Sequence, residues 1–221
     1  MPVQPTVFVV DPDRSTYEMF RLLAGTMNFR CEGYVSGEDF LACDSFPRPG
    51  CAVIELSVPD INGLRLQEEL KQRGDGLPVV FLASQASVSI AVWAMRAGAV
   101  HFLEKPVREH ELWDAVYDAI QLDIRRHDAS RQREECNRRL DKLTPKEHDV
   151  LDLIARGCSK RAIADQMDVC VRTVELRRRD LMKKLGLKSL WELVHFALTT
   201  ANGHSSSSIQ PPVRKKMLID D

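Results

Sequence analysis

Two acidic residues and one lysine stand at the ends of short apolar segments in the first half of the chain. Asp11 and Glu55 each lie at the end of one such segment, and Lys105 follows another. Apolar segments of this length are typical of buried parallel strands, whose carboxyl ends meet at one edge of a sheet. The spacing therefore predicts a pocket in which two carboxylates and an ammonium can form ion pairs.

A second concentration of charge lies in the segment Arg172–Lys184, which is strongly basic and follows a short turn. A basic helix that follows a tight turn is suited to contacts with phosphates and with the edges of bases. Acidic and basic side chains are unevenly distributed between the two halves of the chain. Residues 1–124 carry 18 acidic and 10 basic side chains, whereas residues 138–201 carry 9 acidic and 14 basic ones. Nucleic acid, if bound, is predicted to contact the second half.

Apolar runs and helix-length amphipathic stretches alternate through the first 106 residues, as in βαβ units. The predicted strands are Thr6–Val10, Arg30–Val35, Ala52–Leu56, Val79–Ala83 and Val100–Leu103, of which the second is the weakest. The predicted helices are Arg14–Thr26, Gly37–Cys43, Gly63–Arg73, Ser87–Ala97 and one that starts near Arg108. This order predicts a (βα)5 domain with a doubly wound parallel sheet.

The segment from about Gln121 to Lys142 is dense in charge and contains neither glycine nor proline. Its sparse apolar residues recur along the segment, which favours an extension of the fifth helix. A flexible hinge is the alternative.

The second half of the chain carries the signals of four short helices. Thr144 and Glu147 form a capping-box pattern with Pro145 at the first helical position. The three later helices are predicted at Lys160–Gln166, Arg172–Leu185 and Ser189–Thr199, and a brief turn joins the first two of them. This arrangement indicates a helix-turn-helix.

The last predicted helix shows one apolar stripe, formed by Leu190, Leu193, Val194 and Ala197. The stripe is larger than so small a domain should need for its own core, so we expect it to contribute to dimerisation. The polar, low-complexity segment 202–221 is predicted to be disordered.

Composition excludes several classes of protein. Of the 221 residues, 44% are hydrophobic and 29% are charged, which is typical of globular domains. No apolar run is long enough to span a membrane, and the N-terminus lacks the pattern of a signal peptide. The six cysteines form no CxxC pair, which argues against zinc and disulfides. The protein is expected to be soluble and cytoplasmic, with no membrane partner.

The motifs VFVVD, IELSVPDINGL, PVVFLAS and AGAVHFLEKP resemble the receiver domain of bacterial two-component response regulators. Residues 143–186 resemble the LuxR-type helix-turn-helix, and this domain order is that of the NarL/FixJ family. The resemblance implies an α/β plus all-α fold. It assigns a receiver-like domain to residues 1–122, a connecting helix or linker to 123–142, a four-helix LuxR-type domain to 143–201 and the tail to 202–221. It implies a regulator of transcription and not an enzyme.

The receiver motifs depart from the family pattern where phosphorylation occurs. The phosphoacceptor aspartate aligns with Glu55, and the acidic pair that holds Mg²⁺ aligns with Asp11 and Pro12. Asp13 is an acidic neighbour displaced by one residue. The hydroxyl residue that contacts the phosphoryl group aligns with Ala83. Only the lysine and the switch aromatic, Lys105 and Phe102, stand where the resemblance requires them.

These departures predict an atypical response regulator with a degenerate phosphorylation site. Glu55 is one methylene longer than aspartate, and Mg²⁺ loses an oxygen ligand at Pro12, so Mg²⁺ binding is expected to be weak or absent. The favoured interpretation is that Glu55 imitates part of the charge of a phosphorylated aspartate. A neutral remnant and residual phosphorylation are the alternatives, and the sequence identifies no cognate histidine kinase.

The resemblance implies that the third predicted helix of the second domain is the recognition helix. By resemblance, Glu175, Leu176 and Arg179 match the family's base-reading positions. Five other residues are candidates for phosphate contacts by position and charge, namely Lys160, Arg161, Arg172, Thr173 and Lys183. Arg177 is as well explained by a solvated charge as by a DNA contact. The expected partners are double-stranded DNA and a second copy of the chain.

Two rival functions remain open from the sequence. One is a conventional regulator that depends on phosphorylation. The other is a protein-interaction module whose DNA-binding surface is vestigial, which the basic segment Arg172–Lys184 disfavours.

Overall fold

The structure is a computed structural model, and it describes residues 4–204. Residues 205–221, which include most of the predicted disordered tail, lie outside the described residues. The chain divides into two compact units between Ser130 and Arg131.

The first unit is built on a parallel sheet of five strands with the order β2-β1-β3-β4-β5. The strands are β1 (Thr6–Val10), β2 (Arg30–Tyr34), β3 (Gly50–Glu55), β4 (Val79–Ala83) and β5 (His101–Glu104). The helices are α1 (Arg14–Thr26), α2 (Gly37–Leu41), α3 (Gly63–Gln72), α4 (Val88–Ala97) and α5, which begins at Glu109. The predicted (βα)5 fold is confirmed, with element ends shifted by no more than two residues.

Both faces of the sheet are buried, as near-continuous apolar strands require. Alternate residues of each strand point to opposite faces. On one face, Phe8, Ile54 and Phe81 pack with side chains from α2, α3 and α4. On the other face, the neighbouring strand residues pack against Phe20 of α1 and the apolar side of α5. These two layers hold the carboxyl ends of β1, β3 and β5 at one edge.

Helix α5 runs without interruption from Glu109 to Leu140 and crosses the boundary between the two units. The segment that the sequence left open between helix and hinge therefore lies largely within α5. Every residue from Arg125 to Glu135 is exposed, so packing does not hold this stretch in place. Its helical conformation instead fits the absence of glycine and proline and the presence of ion pairs such as Arg139–Glu135.

A buried carboxylate fixes α5 to the opposite edge of the sheet. Asp123 is 3% exposed and accepts a hydrogen bond from the backbone N–H of Gly50 at 2.9 Å. The same carboxylate forms an ion pair with Arg48, whose guanidinium also donates to the carbonyl of Asp75. One side chain of α5 thus ties together the start of β3 and the loop before β4.

The second unit consists of the end of α5 and four helices: α6 (Pro145–Ala155), α7 (Lys160–Gln166), α8 (Val171–Leu185) and α9 (Leu190–His204). Glu147 accepts hydrogen bonds from the N–H and the hydroxyl of Thr144 and lies 2.7 Å from the ammonium of Lys184. Burial disfavours the charge on Glu147, but these partners outweigh burial and hold its pKa below the usual range. The start of α6 is therefore tied to α8.

Helix α9 differs from the prediction in its length and in its faces. It extends to His204, three residues into the predicted disordered tail, because no proline interrupts the chain there. Leu193 and Ala197 are buried in the core of their own unit. Part of the predicted stripe therefore packs within the unit, because its small core needs that face, whereas Leu190 stays exposed. The exposed apolar residues of α9 are Leu190, Trp191 and Leu198.

Candidate functional site

The predicted pocket of charged residues forms at the carboxyl edge of the sheet. Asp11 directly follows β1, Glu55 is the last residue of β3, and Lys105 directly follows β5. Strands β1 and β3 are neighbours at the point where the strand order reverses. Polar sites of open α/β sheets lie at this point. Both carboxylates are buried, each with 4% of the residue exposed.

Lys105 joins the two carboxylates in one ion-paired group. Its Nζ lies 2.7 Å from Oδ2 of Asp11 and 2.6 Å from Oε2 of Glu55. Burial lowers the pKa of Lys105, but the two carboxylates outweigh burial and raise the pKa above its usual value. The ammonium therefore stays charged at neutral pH and faces both carboxylates.

Backbone N–H groups hold the other oxygen of each carboxylate. The N–H of Asp13 donates to Oδ1 of Asp11 at 2.8 Å, and the N–H of Ser57 donates to Oε1 of Glu55 at 3.3 Å. Each carboxylate is thus oriented by one backbone donor and by Lys105. Side chains fixed from two sides lose rotamer freedom before any ligand arrives.

The side chains of the remaining predicted pocket residues lie around this group without joining it. The carboxylate of Asp13 caps α1 by accepting a hydrogen bond from the N–H of Ser15. Hydrogen bonds from the side chain and the backbone of Ser15 lower the pKa of Asp13. Pro12 is exposed and offers no side-chain oxygen. Ala83 is fully buried at the end of β4, where its carbonyl accepts from the N–H of Lys105 at 2.8 Å. Phe102 is half-buried, and its ring centroid lies 6.0 Å from that of Phe81.

Helix α8 presents the predicted recognition residues on its exposed side. Glu175, Leu176 and Arg179 are exposed, whereas Val174 and Leu181 are buried in the core of the unit. Of the phosphate candidates, Arg161, Arg172 and Lys183 are exposed and Thr173 is half-buried. The burial pattern thus leaves a polar surface around the first half of α8.

Four predicted DNA contacts, Lys160, Thr173, Glu175 and Arg177, have partners within the protein. The ammonium of Lys160, at the start of α7, lies 2.6 Å from Oε1 of Glu175. Arg177 is half-buried, and its Nη1 donates to Sδ of Met167 at 3.8 Å. The sequence contained no signal for the contacts of Lys160 and Arg177, because each joins residues on different elements.

Two family models match the chain. The model of the response regulator receiver domain matches residues 7–117, and the model of the luxR family of bacterial regulatory proteins matches residues 141–197. The chain belongs to the response regulator family.

Relatives of this response regulator match it over most of its length. The transcriptional regulatory protein TdiR of Thauera aromatica is 32% identical over 93% of this chain and 91% of its own. The transcriptional regulatory protein FixJ of Azorhizobium caulinodans is 31% identical over 90% of this chain and 94% of its own. The solved structure of the response regulator StyR is 35% identical, with a TM-score of 0.80, and covers 89% of this chain and 99% of its own. This response regulator is therefore a transcriptional regulator with a LuxR-type DNA-binding domain.

The pocket of this response regulator does not fit the Mg²⁺ ion that the resemblance implies. Mg²⁺ requires hard oxygen ligands in near-octahedral geometry. Pro12 supplies none, Asp13 is engaged as a helix cap, and the ammonium of Lys105 contacts both remaining carboxylates. Across residues 4–204, no cluster of three or more His, Cys, Asp or Glu side chains is placed to hold a metal ion.

None of the helices within residues 4–204 combines the length and the apolar composition that a membrane-spanning helix needs.

Proposed function

We propose that this response regulator binds specific double-stranded DNA sites in the cytoplasm without being phosphorylated on an aspartate. The Glu55 carboxylate, in contact with Lys105, takes the part that a phosphorylated aspartate has in an ordinary receiver. The observation that carries this proposal is the bridge from Lys105 Nζ to Glu55 and Asp11, at 2.6 and 2.7 Å.

Phosphoryl transfer to this pocket is opposed by three features. Glu55 is longer than aspartate by one C–C bond of about 1.5 Å, which moves its oxygen away from the in-line position. Pro12 removes a metal ligand, and Ala83 offers no hydroxyl to a phosphoryl oxygen. An incoming phosphoryl group would therefore meet no metal ion and no hydroxyl donor, and the ammonium of Lys105 is already paired with two carboxylates.

Imitation of the phosphorylated state rests on charge placed deep in the pocket. A phosphorylated aspartate brings extra negative charge and further oxygen acceptors to the end of β3. The longer side chain of Glu55 carries its carboxylate further into the pocket and onto the ammonium of Lys105. Both partners of this ion pair belong to the chain itself, so the pair needs no kinase.

Homodimerisation belongs to the same proposal. Helix α4 exposes Val88, Val92, Trp93 and Met95, which together form an apolar surface of the first unit. Contiguous apolar surface of this kind is typical of protein interfaces. A dimer held chiefly by its receiver units would bring two recognition helices to an operator with two half-sites.

The phosphorylation claim predicts a negative result with a small phosphodonor. Acetyl phosphate with Mg²⁺ should leave the full-length chain unmodified, because Glu55, Pro12 and Ala83 each remove part of the reaction site. Intact-mass spectrometry checks this outcome. A stoichiometric increase of about 80 Da that disappears in Glu55→Gln would refute the claim.

A restored variant supplies the positive control. The triple variant Pro12→Asp, Glu55→Asp and Ala83→Thr returns the missing ligand, nucleophile and hydroxyl to the pocket. This variant should gain the mass of one phosphoryl group under the same conditions, whereas Glu55→Asp alone should not. If the triple variant also stays unmodified while remaining folded, the three residues do not account for the loss of phosphorylation.

The DNA-binding claim predicts different effects for two residues of α8. Arg179→Ala should lose about 1–3 kcal/mol of binding free energy on the specific site and relax the preference at one base pair. Lys183→Ala should weaken binding to all sequences alike and reduce the salt slope by about one. Fluorescence anisotropy with specific and scrambled duplexes at several salt concentrations measures both effects. Uniform losses for Arg179→Ala would show that Arg179 does not read a base.

A further inference from the structure

We propose that Lys160 is a positioning residue for base recognition, which acts by holding the carboxylate of Glu175 and does not contact a phosphate. The inference rests on the proposed function, in which α8 reads base edges. It concerns a residue on α7, outside the recognition helix, and it assigns that residue an effect on sequence preference.

The pair is built from the starts of two helices. Ser159 caps α7, its hydroxyl accepting from the N–H of Ala162 at 3.2 Å, so Lys160 occupies the first helical position. Glu175 lies in the second turn of α8. The Lys160 ammonium lies 2.6 Å from Oε1 of Glu175, while Oε2 of Glu175 has no hydrogen-bond partner within the described part of the chain.

Electrostatics explains why a glutamate in this place benefits from a lysine. A carboxylate that enters the major groove is repelled by the phosphates on both sides. The hydrogen bond and the charge of Lys160 are the main causes that lower the pKa of Glu175, and Arg178 and Arg172 add to them. The glutamate is therefore ionised, and its charge is balanced by an ammonium at contact distance.

Geometry explains why the pair can be specific. Glutamate loses much rotamer freedom when its side chain is ordered, and a partner that orders it before DNA arrives reduces that cost. With Oε1 engaged by Lys160, Oε2 is left to accept a hydrogen bond from an exocyclic amino group. Among the base edges of the major groove, glutamate characteristically accepts from N4 of cytosine. Lys160 should therefore favour one base pair without touching it.

A selection experiment with the full-length chain tests this inference and identifies the preferred DNA sequence at the same time. The wild-type protein selects duplexes from a randomised pool, and the enriched sequence is then varied at each base pair. Four variants are compared with it: Lys160→Met, Glu175→Ala, the double variant, and Lys183→Met as a matched control. Both residues of the pair are about half exposed, so the variants should fold, which circular dichroism checks.

Lys160→Met and Glu175→Ala should each reduce discrimination at the same single base pair, by about tenfold. The double variant should discriminate no worse than Glu175→Ala, because Lys160 acts through Glu175. Lys183→Met should instead weaken binding to every duplex equally and leave the base preferences unchanged.

Three outcomes would overturn the inference, and only the last of them would also contradict the proposed function. If Lys160→Met weakens all duplexes equally in both backgrounds and reduces the salt slope by about one, Lys160 is a phosphate contact and the proposed function stands. If Glu175→Ala alters no base preference, the pair does not take part in recognition. If the wild-type chain enriches no sequence, sequence-specific binding itself fails, and the inference fails with it.

Discussion

Replacing Glu55 by Ala should weaken binding of the full-length protein to its selected DNA by about 5- to 150-fold, the usual range of coupling between sites. Residue 55 lies in the receiver unit, so a direct contact with bases does not explain such a loss. The variant removes the buried charge that contacts Lys105 while leaving the Lys105–Asp11 pair in place. If that charge maintains the active state, assembly or DNA affinity declines with it.

Two measurements and a control define this result. Fluorescence anisotropy gives the affinity for DNA, and light scattering gives the oligomeric state of the same samples. Glu68→Ala removes an exposed carboxylate from the same unit and should change neither quantity. If artificial dimerisation of the DNA-binding domains restores binding by Glu55→Ala, the effect lies in assembly. Unchanged affinity in Glu55→Ala would leave the pocket as a neutral remnant of a phosphorylation site.

Asp123→Ala should destabilise the receiver unit by about 3 kcal/mol, near the lower end of the cost of breaking a buried ion pair. The substitution leaves the N–H of Gly50 without its acceptor and the guanidinium of Arg48 without its counter-charge. Arg48 is 21% exposed at its side chain, so water compensates part of the loss. The loop before β4 also loses its indirect tie to α5.

Urea denaturation of the full chain, followed by tryptophan fluorescence, measures this effect. Trp113 of α5 packs against Phe29 in the same unit, with ring centroids 6.2 Å apart, and reports on its unfolding. Asp128→Ala provides the control, because Asp128 is exposed on the same helix. A loss for Asp123→Ala no larger than that of the control would show that this ion pair does not hold α5 to the sheet.

Much of the fold was predictable because it depends on local patterns. Strands buried on both faces must be nearly continuous in apolar residues, and the segments around Val53 and Phe81 satisfy this condition. Helix boundaries depend on capping residues within a few positions, as Thr144 and Glu147 show for α6. Parallel strands bring their carboxyl ends to one edge of the sheet. Their positions at strand ends therefore also predicted that Asp11, Glu55 and Lys105 lie close together.

The structure corrected the prediction where an apolar helix face could pack either in the core of its own domain or at an interface. The apolar stripe of α9 was predicted to contribute to dimerisation, but Leu193 and Ala197 are buried in the core of their own unit and Leu190 is the stripe residue that stays exposed. Periodicity shows that a helix has an apolar face. It does not show whether that face packs against the same domain or a second molecule, because this depends on how much apolar surface the other helices supply.

The amino-acid sequence by itself thus determined the two-domain architecture and the three charged residues of the pocket. Only the tertiary structure decided which atoms pair. Lys105 contacts both carboxylates, Lys160 contacts Glu175 and Asp123 contacts Gly50, the last across 73 residues of chain. The physical reason is that periodicity and capping are local, whereas an ion pair depends on distances of a few ångströms between separate elements. Those distances are set by the packing of the cores, which no single segment encodes.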